Sequence, residues 1–281
     1  MLKHTIYTVA LATAILSLSG CQSGHSEEAA TTTQEQPGKH PLSFRSQTVT
    51  RKSSYCGQGP SACAEATITY VEAMGGPETL RQSINRFIQR RILSLQLDMN
   101  PEADTTATNA NAAERVAAAF VKQQEDFIIE MQEIPASAAW ELQVEMAPVY
   151  QAPTVTTLAM TSYTYAGGAH PNSFLGLQSF DSEGRQLRIA DMVADTAQLQ
   201  RLVEKEFRRA RSTVGDKPFA EAGLFIEGDA LPLPQQAGLT PQGLRLYYNA
   251  YEIGPYAFGP TDLLLTYQQL GDLLRDKYKP R

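Results

Sequence analysis

The sequence predicts an α+β fold, with a mainly antiparallel sheet packed with about four helices and arranged as two sequential subdomains. Segments that alternate apolar and polar residues, typical of half-buried strands, occur in groups, and amphipathic segments with helical spacing lie between those groups. No regular β-α-β alternation is present, which favours antiparallel pairing. The 281 residues, 42% of them hydrophobic, are enough to bury a sizeable core.

The N-terminus indicates an export signal that ends in a lipid attachment site. Lys3 and His4 precede an apolar stretch at 6–18, which is short for a membrane span and fits a signal peptide. The Leu-Ser-Gly-Cys sequence that ends at Cys21 resembles the bacterial lipoprotein box. We therefore predict a lipoprotein signal peptide over 1–21 with Cys21 lipidated. An ordinary secretory signal with a chance cysteine is the alternative.

Residues 22–43 are predicted to form a disordered tether, because they offer few apolar side chains to bury. Gln22 follows the cysteine in place of an aspartate, which resembles lipoproteins that are passed on to the outer membrane. We expect an extracytoplasmic protein bound to the membrane through its N-terminal lipid, at the outer membrane if the cell is a diderm. The formal net charge of -6 argues against a nucleic-acid partner.

Four strands and two helices are predicted in the first part of the folded region. The strands, in order, are an edge strand at 44–52, then 66–71, 140–146 and 154–165. Pro77 suits the start of a helix over 78–95, where apolar residues recur at helical spacing. A polar loop at 100–111 then precedes a second helix at 112–132. Pro148 and Pro153 are expected to interrupt the third strand, which should pair with the fourth in an antiparallel hairpin.

The second part is predicted to begin with a strand at 173–180 and a turn that leads into 186–189. Asp195 and Gln198 resemble a capping box at the start of a third helix, which presents Leu199, Val203 and Phe207 on one face. Further strands are predicted at 224–226, 243–253 and 263–267, and a closing helix at 268–276.

Two cysteines remain after the lipidation site. Cys56 and Cys63 are separated by a turn-forming spacer, and an oxidising compartment favours a disulfide between them. Such a short loop should stabilise the fold by about 2–3 kcal/mol in the chain-entropy model. Free buried thiols or a two-cysteine metal site are the less favoured alternatives.

Two segments of the C-terminal half combine aromatic residues with turn-forming glycines. The first motif loop, Tyr163–Asn172, and the second motif loop, Tyr247–Gly259, each follow a strand-like run and end in turn-forming residues. Together they hold several tyrosines and His170, the only histidine outside the predicted signal peptide and tether. They form the candidate recognition surface.

Within these loops, Tyr165–Asn172 resembles the Tyr-x-Gly-Gly-Ala-His signature of a bacterial envelope domain of unknown function, and Tyr251–Gly259 resembles its second signature, around Pro-Tyr-Ala-x-Gly. That domain is shared by the lysozyme-sensing anti-sigma factor RsiV and the peptidoglycan deacetylase PdaC. Residues 161–281 are thus similar to the RsiV-like C-terminal domain. Residues 44–160 resemble the α+β partner domain that often precedes it.

The resemblance implies an extracytoplasmic α+β module whose best understood role is binding, in particular of lysozyme by the sensing member. No cytoplasmic sigma-binding segment precedes the expected anchor, and no separate deacetylase domain follows. The resemblance therefore implies neither anti-sigma activity nor deacetylation. Thr266 stands where many members have a proline before the last helix.

Eight residues of the motif loops are the candidate ligand contacts: Tyr165, Gly167, Gly168, His170, Tyr251, Pro255, Tyr256 and Phe258. We expect no catalytic residue, no metal and no cofactor, because zinc usually needs several His or Cys ligands. A histidine that packs against Tyr165, or bonds to the backbone of a tight loop, is the alternative to a ligand role for His170.

The sequence therefore predicts a lipid-anchored envelope lipoprotein with a non-enzymatic binding module, whose ligand is a lysozyme-like protein or the glycan of peptidoglycan. The alternative is an envelope hydrolase that acts on peptidoglycan or glycan through His170 and the nearby Glu252, Asp181 and Asp191. A structural lipoprotein that assembles with other envelope proteins is a third hypothesis.

Overall fold

Nine strands form two sheets of unequal size in the computed structural model, which describes residues 41–99, 111–228 and 230–280. The predicted signal peptide, Cys21 and most of the tether lie outside the described residues, as does the predicted loop apart from Asn111. In the described part of the chain, no helix is long and apolar enough to cross a membrane.

The strands and helices follow one another in an α+β order, as predicted. In chain order they are β1 Ser43–Lys52, β2 Ala64–Met74, α1 Glu78–Met99, α2 Ala112–Met131, β3 Trp140–Ala152, β4 Val155–Tyr165, β5 Asn172–Asp181, β6 Gln186–Leu187, α3 Ile189–Met192, α4 Thr196–Ala210, β7 Gln236–Leu239, β8 Gly243–Tyr248, β9 Thr261–Thr266 and α5 Tyr267–Leu270.

The large sheet has six strands in the order β1-β2-β3-β4-β5-β6. Every neighbouring pair is antiparallel except β2 and β3, which are parallel and pair Ala64 with Trp140. Parallel neighbours need a long crossover connection, and α1 and α2 supply it. The prediction of a mainly antiparallel sheet is confirmed, with this one parallel pair.

One face of the large sheet is covered by α1 and α2. Ile84, Ile88 and Ile92 recur every four residues along α1 and are buried in the same apolar cluster as Ile68 of β2 and Phe120 of α2. The opposite face of β2, β3 and β4 carries polar side chains instead, which are half-buried or exposed: Thr67, Thr69, Gln143, Glu145, Thr161 and Tyr163.

The third strand continues through its first proline. β3 extends to Ala152, and its register against β4 shifts between Pro148 and Tyr150. The prediction that Pro148 interrupts this strand was therefore wrong, because a local irregularity accommodates a residue that has no N–H to donate. The predicted antiparallel pairing of β3 with β4 is confirmed.

The small sheet has the order β7-β8-β9. Its buried residues, among them Tyr248, pack with residues of α4, among them Phe207, in a group that we call the second apolar cluster. Phe207 of α4 packs edge-on against Tyr248 of β8, with ring centroids 5.6 Å apart. The predicted third helix is confirmed, and Asp195 caps it by accepting a hydrogen bond from the Gln198 backbone N–H at 2.9 Å.

Several elements near the C-terminus differ from the prediction. Residues 224–226 form no strand; a single hydrogen bond joins the Phe225 N–H to the Ile253 carbonyl at 2.8 Å. The strand predicted at 243–253 ends at Tyr248. The sequence reasoning did not predict β7, whose four residues include a glycine and give no clear alternation.

The predicted closing helix is also broken. α5 ends at Leu270, and Gly271 adopts a φ of 47°, so short 3₁₀ turns replace a continuous helix over 268–276. Thr266 caps α5 by accepting a hydrogen bond from the Gln269 N–H at 3.2 Å, and the Gln269 side chain bonds back to the Thr266 N–H.

The disulfide between Cys56 and Cys63 is confirmed. Its loop connects β1 to β2, and the Cys63 carbonyl accepts a hydrogen bond from the Trp140 N–H at 3.0 Å. The disulfide loop is therefore attached directly to the start of β3.

The strands are not separated at residue 160, the predicted boundary between the two subdomains. β4 runs through that residue, and the large sheet therefore contains strands from both predicted subdomains. The boundary between 44–160 and 161–281 stays a prediction.

A matched pair of glycine substitutions tests the contact between the β5–β6 turn and α1. Gly184 has a φ of 85°, and a Cβ there would lie 2.8 Å from the Thr79 carbonyl oxygen. Gly223 has a φ of 81° with nothing within 4 Å of a Cβ. We expect Gly223→Ala to lower the free energy of unfolding by about 1 kcal/mol through backbone strain alone. Gly184→Ala should cost about 2–4 kcal/mol, because overpacking is added.

Urea denaturation of both variants measures the difference. Equal losses of stability in the two variants would show that the turn does not press against α1.

Candidate functional site

The two motif loops meet through an aromatic cluster made of His170, Tyr251 and Tyr256. The imidazole of His170 stacks on the Tyr256 ring, with centroids 3.7 Å apart and planes 10° apart. The Tyr251 hydroxyl lies 3.3 Å from His170 Nε2. The Tyr256 hydroxyl donates to the Pro171 carbonyl at 3.1 Å. Contacts from both neighbouring tyrosines therefore fix the orientation of His170.

Glycines permit the close approach that the first motif loop makes. Gly167 has a φ of 75°, and a Cβ there would lie 3.1 Å from the Ser137 carbonyl oxygen and 3.5 Å from Trp140 Nε1. The Gly168 carbonyl accepts a hydrogen bond from the Tyr165 hydroxyl at 3.3 Å. The loop thereby folds back against the start of β3.

The second motif loop is fixed to the large sheet by Asn249, which is buried. Its Oδ1 accepts from the Leu175 N–H at 2.8 Å, and its Nδ2 donates to the Leu175 carbonyl at 3.0 Å. Glu252 braces the same loop: its carboxylate accepts from the backbone N–H groups of Asn249 at 2.9 Å and Gln235 at 2.8 Å. These bonds hold the loop beside the edge of β5.

Tyr251 is held in an uncommon backbone conformation. Its φ is 67°, in the left-handed region where non-glycine residues carry a cost of about 1–2 kcal/mol. Its side chain is 53% exposed. Such strain persists only where the surroundings impose it, and it is often associated with functional sites.

A pocket of about 660 Å³ opens between the motif loops and one end of the large sheet. Its apolar part includes Trp140, Phe120, Phe174, Leu95 and Leu142, and its polar part includes Ser162, Thr164, Asn172, Asn249, His170 and Tyr251. Apart from His170 and the Tyr251 phenol, the described residues that line the pocket include no titratable side chain. We call this space the loop pocket.

The eight predicted contacts have different positions in this arrangement. Gly167, His170 and Tyr251 line the loop pocket. Tyr256 and Pro255 are exposed beside it, and Tyr165 is engaged with Gly168 as described above. Gly168 carries no side chain into the pocket.

Phe258 lies elsewhere. Its ring packs parallel to Phe207 at 6.3 Å between centroids, and the Arg211 guanidinium lies 4.5 Å above it. The half-buried Phe258 therefore anchors the second motif loop in the second apolar cluster. Its role as a ligand contact stays a prediction.

Sequence reasoning missed three residues around the site. Trp140 and Asn249 line the loop pocket, and Phe225 is 64% exposed beside the second motif loop, to which it is bonded through Ile253. The sequence does contain a signal for Asn249. It follows two tyrosines in a strand pattern, where asparagine is disfavoured, and this indicates a specific role for its side chain. For Trp140, the sequence predicts only the start of the strand at 140–146.

The carboxylates considered for a hydrolase take part in local structure. Asp181 accepts from the backbone N–H groups of Glu183 and Arg185, at 3.1 and 2.9 Å. Asp191 accepts from the Arg188 N–H at 2.9 Å, and this hydrogen bond lowers the pKa of the Asp191 carboxyl. Glu252 accepts the two backbone hydrogen bonds described above. None of these three carboxylates lines the loop pocket. Among the described residues, no group of three His, Cys, Asp or Glu side chains could hold a metal ion.

Comparison with known proteins identifies two family matches. Residues 58–173 match the family described as Deacetylase PdaC, and residues 190–268 match the family described as Protein of unknown function (DUF3298). No curated protein matches the chain.

Two crystal structures share the fold. A member of the DUF3298 family from Bacteroides fragilis has a TM-score of 0.67 at 18% identity, covering 86% of this chain and 96% of that one. A DUF3298 family protein from Pseudomonas aeruginosa has a TM-score of 0.58 at 19% identity, covering 86% of this chain and 98% of that one. The matches support the predicted envelope domain family. The link to the lysozyme-sensing member and the N-terminal partner domain stay predictions.

Removal of the Asn249 side chain should destabilise the site. We expect Asn249→Ala to lower the free energy of unfolding by about 2–4 kcal/mol, because the Leu175 N–H and carbonyl lose their partners in a buried position. Gln236→Ala is the control: Gln236 accepts one bond, from the Leu177 N–H at 3.2 Å, and is less buried, so its loss should cost about 1 kcal/mol.

Chemical denaturation gives both values, and amide hydrogen exchange at Leu175 reports the local effect. If exchange at Leu175 in Asn249→Ala were as slow as in the unmodified chain, the Asn249 anchor would be unnecessary.

Proposed function

We propose that this chain, with its PdaC-like and DUF3298-like segments, is a lipid-anchored, extracytoplasmic binding module of the cell envelope without enzymatic activity, and that the glycan of the cell wall is its ligand. The observation that carries the proposal is the loop pocket, which combines aromatic ring faces with neutral hydroxyl and amide groups.

The lining of the loop pocket suits a saccharide. The C–H groups on one face of a sugar ring are slightly positive and are attracted to the negative face of an aromatic ring, here the exposed Tyr251. Sugar hydroxyls both donate and accept hydrogen bonds, and Ser162, Thr164 and Asn172 offer groups of both kinds. The volume of about 660 Å³ lies in the range of small-molecule sites.

Binding is better supported than hydrolysis. Glycoside hydrolysis uses two carboxyl groups on either side of the scissile bond. Glu252, Asp181 and Asp191 instead accept backbone hydrogen bonds away from the pocket lining. His170 has Tyr251 and the Pro171 carbonyl as partners, and among the residues that the structure describes no carboxylate bonds to it as the orienting acid of a general base would.

A lysozyme-like protein is the second candidate ligand, because exposed aromatic residues form a rim beside the loop pocket. Tyr251 is 53% exposed, and its ring centroid lies 5.6 Å from that of the exposed Tyr256. Phe225 is 64% exposed and its N–H bonds to the Ile253 carbonyl of the same loop. Exposed aromatic residues on rigid loops are frequent anchors of protein interfaces. A protein partner would contact this rim, whereas a saccharide would enter the pocket.

Calorimetric titration of the full chain with chitotetraose, a tetramer of N-acetylglucosamine, tests the saccharide proposal. Tyr251→Ala should weaken binding at least tenfold, which is about 1.4 kcal/mol, because a ring face is lost. Tyr251→Phe should remain within about threefold of the unmodified chain, because the ring is kept. Met74→Ala is the matched control, since Met74 is also exposed but lies at the far end of β2 from the Ala64–Trp140 pair.

Trp140, the only tryptophan of the chain, gives an independent fluorescence readout at the pocket. Equal affinities for the unmodified chain and Tyr251→Ala would contradict the proposed location. Binding of lysozyme with no binding of the tetramer would favour the second candidate, and release of shorter oligomers would favour a hydrolase.

A further inference from the structure

We propose that a second saccharide site lies on the opposite face of the large sheet, in a trough of about 970 Å³ between β2, β3 and β4 on one side and β8 and β9 on the other. The inference rests on the proposed function for the class of ligand. The trough is a separate space from the loop pocket, and its lining supports the same ligand chemistry independently.

The floor of the trough is a polar sheet face. The side chains on it are neutral hydroxyls and amides, with one carboxylate: Thr67, Thr69, Gln143, Thr161 and Glu145. Gln143, Glu145 and Thr161 are exposed. A face with this many hydrogen-bonding side chains can satisfy a ligand that carries hydroxyls at regular intervals.

The floor suits a saccharide better than an extended peptide. Peptides that add to a sheet bind along a strand edge, where unpaired backbone N–H and C=O groups are available. β3 and β4 are interior strands of the large sheet and pair on both sides, so their backbone groups already bond to their neighbours. Recognition on this floor therefore uses side chains.

Two tyrosines and one ion pair form the walls. Tyr163 projects from β4 and Tyr247 from β8, and both are half-buried, so each offers part of a ring to the trough. Arg245 makes a two-bond ion pair with Asp262, at 2.9 and 2.7 Å, and its guanidinium lies 5.9 Å from the Tyr247 ring centroid. The Tyr247 phenol is protonated and able to donate at neutral pH, as an ordinary phenol is, and burial raises its pKa further.

The charges of the trough disfavour an anionic ligand. Arg245 and Asp262 neutralise each other, and Glu145 remains as an additional negative charge on the floor. A phosphate or polyanion would meet this carboxylate without an unpaired cation among the described lining residues. An uncharged, polyhydroxylated ligand meets no such repulsion.

The two sites share residues at the end of the large sheet. Ser162, Ser173 and Phe174 line both the loop pocket and the trough. A long glycan, or two strands of a cross-linked wall, can occupy both sites on one module, and two linked contacts strengthen binding beyond that of either alone. The module would then prefer polymeric glycan to short fragments.

Stoichiometry in calorimetric titration of the full chain with chitotetraose tests the inference. We expect two molecules bound per chain. Tyr163→Ala should remove one of them, and Tyr251→Ala should remove the other. The double variant Gln143→Leu/Thr161→Val is a second test of the trough, because both residues are exposed and the changes remove polar groups with little change of volume. It should weaken the trough site at least tenfold, with a thermal midpoint close to that of the unmodified chain.

The outcomes separate the inference from the proposed function. One bound tetramer that is lost in Tyr251→Ala and unaffected by both trough variants would overturn the trough and leave the loop pocket standing. One bound tetramer that is lost in the trough variants and unaffected by Tyr251→Ala would support the trough and overturn the loop pocket. Absence of any binding would overturn both.

Discussion

The pair of hydrogen bonds between the Asn249 side chain and the Leu175 backbone is the constraint on which the site depends. The edge of β5 lacks a strand partner at Leu175 and Leu177, because β6 pairs only with Ser179 and Phe180. Side chains from the small-sheet segment take the place of that strand, through Asn249 at Leu175 and Gln236 at Leu177. Each bond satisfies a backbone group that would otherwise be left unpaired, and together they fix the second motif loop beside the first.

Once the loops are adjacent, most of their polar groups are used to hold their shape. Glu252 is committed to two backbone N–H groups, and the Tyr256 hydroxyl is committed to Pro171. Tyr251, in its strained conformation, and the imidazole of His170 remain at the pocket surface. This distribution supports recognition by preorganised ring faces and neutral polar groups, since the acids that could perform proton transfer are bonded elsewhere.

The large sheet presents chemically different surfaces on its two faces. One face of β2–β4 is closed by α1 and α2 except at the end where the loop pocket opens, and the other remains polar. The small sheet, which packs against β5, forms part of the boundary on both sides: Asn249 borders the loop pocket and Tyr247 borders the trough. β8 ends at Tyr248, so Asn249 belongs to the loop and is not bound to the strand face of Tyr247, and one short segment borders both spaces.

The sequence by itself determined the α+β class, the two long helices, most strands, the disulfide and the two loops that carry the site. Each of these follows from periodicity, turn chemistry or cysteine spacing within a short window. The tertiary structure decided the parallel β2–β3 pair, the passage of β3 through Pro148, the packing of Phe258 against Phe207, and the positions of Trp140 and Asn249. These depend on register and on packing between distant segments, such as Asn249 and Leu175, which are 74 residues apart. A local pattern specifies which face of an element is apolar. Which polar groups come within hydrogen-bonding distance of one another depends on how the elements pack.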